Sequence, residues 1–228
     1  MKELKVDKKS YLDLVVYVLG FAAIILTPYA ARLISPFFDW VGYGALIVFF
    51  DELFTSIFWV VEIVILAIIF KKCFKKNIIY NSEVKGHELP AKRITIITCI
   101  VILCIIGISA QIEFQVKPFY DLGEKFNGYE LLVNCGVFIQ NIIKCMWITI
   151  MIKAMQGFFE GIMGKGKLFV PFAGLIMLLT LGVYDVIIGA NNLPVTYLAL
   201  YAVYGMIYLL TERHTIKSYL LIMFICLF

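Results

Sequence analysis

Residues 41–70 read VGYGALIVFFDELFTSIFWVVEIVILAIIF, a run longer and more uniformly apolar than the helices of soluble domains. About 20 such residues cross a bilayer core as a helix, whereas a soluble surface helix carries one apolar stripe. Three acids, Asp51, Glu52 and Glu62, interrupt the run. An unpaired charge near the bilayer centre costs at least ~2.5–3.5 kcal/mol, so such groups face a bundle interior or a wet cavity. The stretch therefore predicts a membrane helix with a polar side, overlong enough to tilt or break near Asp51–Glu52. Asp51 and Glu62 stand eleven residues apart, close to three turns, and so share a face about 16 Å apart along the axis.

Outward from this run, further apolar segments cover 11–34, 94–112, 129–155, 168–190, 196–210 and 215–228. The last is short and reads as entering the membrane without fully crossing it. With 228 residues, 62% of them hydrophobic, the spans use up the length. The expectation is one transmembrane domain over 1–228, an all-α polytopic bundle of about seven transmembrane helices. No internal repeat and no Gly/Ser- or Pro-rich linker divides it. After Lys2–Ser10 the first apolar run is too long for a cleavable leader.

Orientation follows from the basic residues. Sixteen of the 20 Lys and Arg, among them Lys71, Lys72, Lys75, Lys76, Lys153 and Arg213, fall on one side if the N-terminus is cytoplasmic. Only Arg32, Lys117 and Lys125 fall opposite, with Lys144 inside a span. The positive-inside rule then predicts a multi-pass cell-membrane protein with its N-terminus cytoplasmic. This placement accounts for the net charge of +4 without a nucleic-acid partner, and the lipid bilayer is the expected surrounding. The six cysteines form no Cys-x-x-Cys pair and have no His at ligand spacing. Neither a metal nor a cofactor is expected from them.

Polar groups recur at membrane depth. Asn134, Gln140, Asn141 and Lys144 project within one sector of roughly 120° on the helix over 129–155, and Asp185 lies inside 168–190. Two readings stay open. In one, Lys144 pairs with a carboxylate of a neighbouring helix, a salt bridge to Glu160 or Asp185 being one such arrangement, and the amides hydrogen-bond across the bundle. In the other, Asp51, Glu62, Asn141 and Lys144 line a polar cavity for a substrate, peptide or ion.

Over residues 135–225 three segments fall in a known order. Gln156-Gly157-Phe158-Phe159-Glu160-Gly161 is similar to a Glu-x-Phe-Phe-Arg-Gly stretch; Leu181-Gly182-Val183-Tyr184-Asp185 stands where Phe-Gly-x-x-His is found. Gly205-Met206-Ile207-Tyr208-Leu209-Leu210-Thr211 fits Gly-x-x-Tyr-x-x-Thr, with Ser218 near a small polar residue of the final helix. In this the chain resembles the CAAX protease and bacteriocin-processing (CPBP, or Abi) family of glutamic intramembrane endopeptidases. The resemblance implies a membrane bundle in which a Glu-Glu pair and histidines activate water against a peptide carbonyl.

The matching positions carry other chemistry. Met155 and Gln156 occupy the places of the glutamate pair, Glu160 that of the arginine and Asp185 that of the first histidine. A thioether and a carboxamide cannot serve as a general base. His87 and His214 read as cytoplasmic surface residues. No catalytic residue is therefore assigned. The expectation is a non-catalytic relative that binds a peptide or membrane-protein partner, as family members do in bacteriocin immunity or envelope-enzyme regulation. Two alternatives stand beside it: an intramembrane peptidase in which Glu160 and Asp185 share a proton, and a small transporter or channel subunit with a polar path along Asp51, Glu62 and Lys144.

Overall fold

The computed structural model describes residues 8–38, 44–79, 90–111, 128–163, 170–188 and 195–227. Among these the regular elements are all helical. Helix α1 (Lys8–Ile34) runs into a 3-10 turn (Ser35–Phe38), followed by α2 (Gly44–Phe74), α3 (Ala91–Gln111) and α4 (Gly128–Met163). Helices α5 (Phe172–Met177) and α6 (Val183–Ile188) are halves of one rod joined by a π-helical segment, Leu178–Gly182. Helices α7 (Val195–Leu210) and α8 (Thr215–Leu227) complete the described fold.

Among the described residues, four helices are long and apolar enough to cross a bilayer, over Ser10–Phe37, Ile47–Phe74, Ala91–Ile108 and Val133–Met163. Three shorter apolar helices cover Phe172–Ile187, Ala199–Leu210 and Thr215–Leu227. These lengths and compositions suit an integral membrane protein.

Helix α4 is the centre of the bundle. It packs against α1, α2, α5, α7 and α8, and Trp147 through Ile152 are buried consecutively. A helix buried on every side needs an apolar residue on every side, and this stretch has only Thr149 as an exception. The Thr149 hydroxyl is satisfied by the Cys145 carbonyl at 2.8 Å.

Small residues set the helix spacings. A Cβ on Gly205 of α7 would lie 2.7 Å from the Cα of Gly174 on α5, so these backbones are in direct contact. On the α1–α4 seam, Asp13 fills the space beside Gly157 and Ser10 that beside Gly161. Such close approaches bring helices together where lipid supplies no hydrophobic drive between them.

Two sequence expectations change. Helix α2 passes unbroken through Asp51–Glu52, because the Asp51 carboxylate takes the Ser35 hydroxyl and needs no kink to reach a partner. Helix α4 continues past Met155 to Met163, since Gln156 and Glu160 are bonded one turn apart on it.

Candidate functional site

The first polar constellation sits where α4 ends and α5 begins. Gln156 Nε2 donates to Glu160 Oε1 at 3.1 Å, and Gln156 Oε1 lies 3.5 Å from the Ala173 N–H. That N–H belongs to the first turn of α5, where backbone donors lack helical acceptors. The amide thus bridges a helix start to a carboxylate, using both of its ends. Gln156 is 1% exposed and Glu160 8%, so each polar atom here has to find a partner within the protein.

Glu160 finds Arg213, whose Nε donates to Oε1 at 2.7 Å. Arg213 reaches inward because the turn between α7 and α8 places Glu212 (φ 57°) and Arg213 (φ 63°) in the left-handed region. For residues with a Cβ this costs about 1–2 kcal/mol each. The Arg213 N–H to Tyr208 carbonyl bond of 2.9 Å and the Glu212 N–H to Leu209 bond of 3.1 Å hold the turn. Side chains hold it too: Glu212 pairs with Arg93 Nη1 of α3 at 2.7 Å, and Thr211 Oγ1 meets Ser218 Oγ at 2.6 Å. Buried Tyr208 lies within electrostatic reach of Glu160, Arg213 and Asp13.

Beside this cluster Asp13 of α1 pairs with Lys76 Nζ at 2.5 Å, and Lys153 Nζ donates to the Asn77 carbonyl at 2.9 Å. His214 immediately precedes α8 and accepts the Lys217 N–H on Nδ1 at 3.3 Å. His87 lies outside the described residues.

The second constellation lies within the apolar stretches of α1 and α2, towards the other end. Asp51 takes the hydroxyl of Ser35, and Glu62 that of Thr27 at 2.7 Å. The two acids thus share a face, turned towards α1 and the 3-10 turn that follows it. Glu52, whose Cβ packs at Gly136 of α4, takes a hydrogen bond from Gln140 and lies within electrostatic reach of Lys144. Asn141 is half-buried beside Gln140 on α4.

Lys144 is therefore turned towards α2, contrary to the salt bridge expected with Glu160 or Asp185. Sixteen residues separate Lys144 from Glu160, about 160° around α4 and 24 Å along it, so one cannot reach the other. Asp185 instead accepts the Tyr201 hydroxyl of α7 at 2.6 Å. Tyr201 stacks edge-on with Tyr204, whose hydroxyl meets Cys226 Sγ at 3.1 Å. Along the same rod the π-helical segment presents Thr180 to Tyr17 of α1, oxygen to oxygen 2.5 Å.

Of the positions singled out in the sequence, Gln156 and Glu160 stand together, with Met155 buried in the core beside them. Asp185 stands twelve residues, about 18 Å of helix, beyond Ala173 and has its own partner. Arg213 and Tyr201 escape a reading of the sequence that looks for charges inside apolar runs, whereas Asp13 stands at the start of the run over 11–34, open to that reading but missed by it. Arg213 sits between two runs, and Tyr201 looks like one of 13 tyrosines. Among the described residues, no group of three His, Cys, Asp or Glu side chains could hold a metal ion. Compared with protein-family models, curated proteins and solved structures, the chain matches none.

Proposed function

We propose that this is a multi-pass cell-membrane protein of the CAAX-protease-like plan that binds a peptide or membrane-protein partner without cutting it. In this reading the chain enters the bilayer seven times, with the end carrying Glu160 and Arg213 cytoplasmic. One observation carries it: apart from Asp185, which stands towards the opposite end with Tyr201 as its partner, the polar positions through which the resemblance runs form a cluster already closed upon itself. Gln156, Glu160, Tyr208, Thr211 and Ser218 are distant in sequence and gather at one end of the bundle. Where the family places a pair of glutamates, Met155 and Gln156 offer no proton acceptor, and Glu160 is committed to Arg213. A framework kept without its water-activating groups suits recognition rather than hydrolysis.

The test is incubation of the purified, reconstituted protein with membrane-embedded peptides, read by mass spectrometry. Intact peptides, some of them retained on the protein, are expected. Cleavage that disappears in Glu160→Gln would overturn the reading.

One observation favours a second reading, a transporter or channel subunit. One oxygen each of Glu52 and Glu62 is buried without a hydrogen bond, as in a polar path along α2. Ion or solute flux into proteoliposomes that Glu62→Gln abolishes would select it.

A further inference from the structure

Helix α2 turns one face away from the bundle along its whole second half. Val61, Ile65 and Ile68 are exposed on it, and Lys72 continues their line, all within a sector of about 60°. Lys71 flanks that line, and Lys75 follows directly after the helix ends; all three lysines are exposed. Lys75 adopts a left-handed conformation (φ 52°), and the Lys76 N–H returns to the Phe70 carbonyl at 3.0 Å. This reversal turns Lys76 inward to Asp13 and leaves Lys71, Lys72 and Lys75 with no partner among the described residues. An exposed apolar stripe thus leads into three ammonium groups, unpaired among the described residues, at one end of the bundle.

We propose that this face is a docking surface for an anionic phospholipid, its acyl chain along Val61, Ile65 and Ile68 and its phosphate among Lys71, Lys72 and Lys75. Charge complementarity decides the occupant. A zwitterionic lipid brings its own cation to the phosphate, whereas an anionic one leaves a net negative charge for the lysines. Basic side chains at a membrane surface each contribute about 1 kcal/mol towards anionic lipid, or roughly fivefold in affinity.

The test is native mass spectrometry of the full chain in detergent with added phosphatidylglycerol or phosphatidylcholine. A retained phosphatidylglycerol adduct is expected, reduced roughly a hundredfold in affinity in the triple variant Lys71→Gln, Lys72→Gln, Lys75→Gln. The corresponding triple arginine variant should keep it, which separates charge from folding. Equal retention of phosphatidylcholine, or of phosphatidylglycerol by the glutamine variant, would overturn the proposal. So would displacement of the lipid by an equal concentration of glycerol phosphate, which would make the site one for a free phosphate.

Discussion

The Glu160–Arg213 pair joins the end of α4 to the turn between α7 and α8. The Glu160 side chain is 10% exposed and that of Arg213 34%, so the pair is less desolvated than a fully buried one. Arg213→Ala would leave Glu160 with the Gln156 amide as its remaining described donor. The expected loss is about 1.5–3 kcal/mol, the range for a hydrogen bond to a charged group, below the ~3–5 kcal/mol of a fully buried pair. Thermal unfolding in detergent checks this. Replacing both partners, as in Glu160→Met with Arg213→Met, should cost less than Arg213→Ala alone, because no orphaned charge remains. The pair was not legible in the sequence. It depends on two consecutive left-handed residues that are not glycine, and nothing in Thr211-Glu212-Arg213-His214 announces that backbone. Gln156, by contrast, was legible as a departure from a motif, though its role as a bridge between α4 and α5 was not.

At the scale of elements, helix contacts depend on residues that lack side chains. Gly205→Ala would drive a methyl into the backbone of Gly174 and should destabilise the protein by about 1–3 kcal/mol. Gly107→Ala on α3 meets nothing within 4 Å and should be neutral or slightly stabilising, as alanine favours a helix over glycine. Unfolding of the two variants side by side distinguishes contact from propensity. The π-helical segment between α5 and α6 offers a second check. A double-mutant cycle of Tyr17→Phe and Thr180→Val should give a coupling near ~0.6 kcal/mol, the usual size for an interhelical hydrogen bond in a membrane. A coupling of zero would separate the segment from α1. Helix positions were readable because unbroken apolar runs of this length have few other uses. The π-helical segment was not, since Leu178–Gly182 is as apolar as its flanks. Nor was the full length of α4, as Gln156 and Glu160 look like the edge of a span until their bond is seen.

Across the whole molecule, charge is distributed by end. Lys71, Lys72, Lys76, Arg93, Lys153 and Arg213 lie where α2 and α4 finish and α3 starts, and the ion pairs of Asp13, Glu160 and Glu212 gather there. The opposite end holds Arg32, Asp51 and the Tyr201–Asp185 bond. An apolar girdle between two polar ends is what a bilayer demands of a helical bundle. The proposed orientation sets the basic end in the cytoplasm. Cys73 is exposed at the finish of α2, and Lys125 falls on the opposite side in the proposed orientation. A version retaining Cys73 as its one cysteine, and a version with all six native cysteines replaced and carrying Lys125→Cys, can be treated with a membrane-impermeant maleimide in intact and permeabilised cells. The Lys125→Cys version should label in intact cells and Cys73 only after permeabilisation; labelling of both in intact cells, or of Cys73 alone, would contradict a bundle that crosses the membrane with its Glu160–Arg213 end inside.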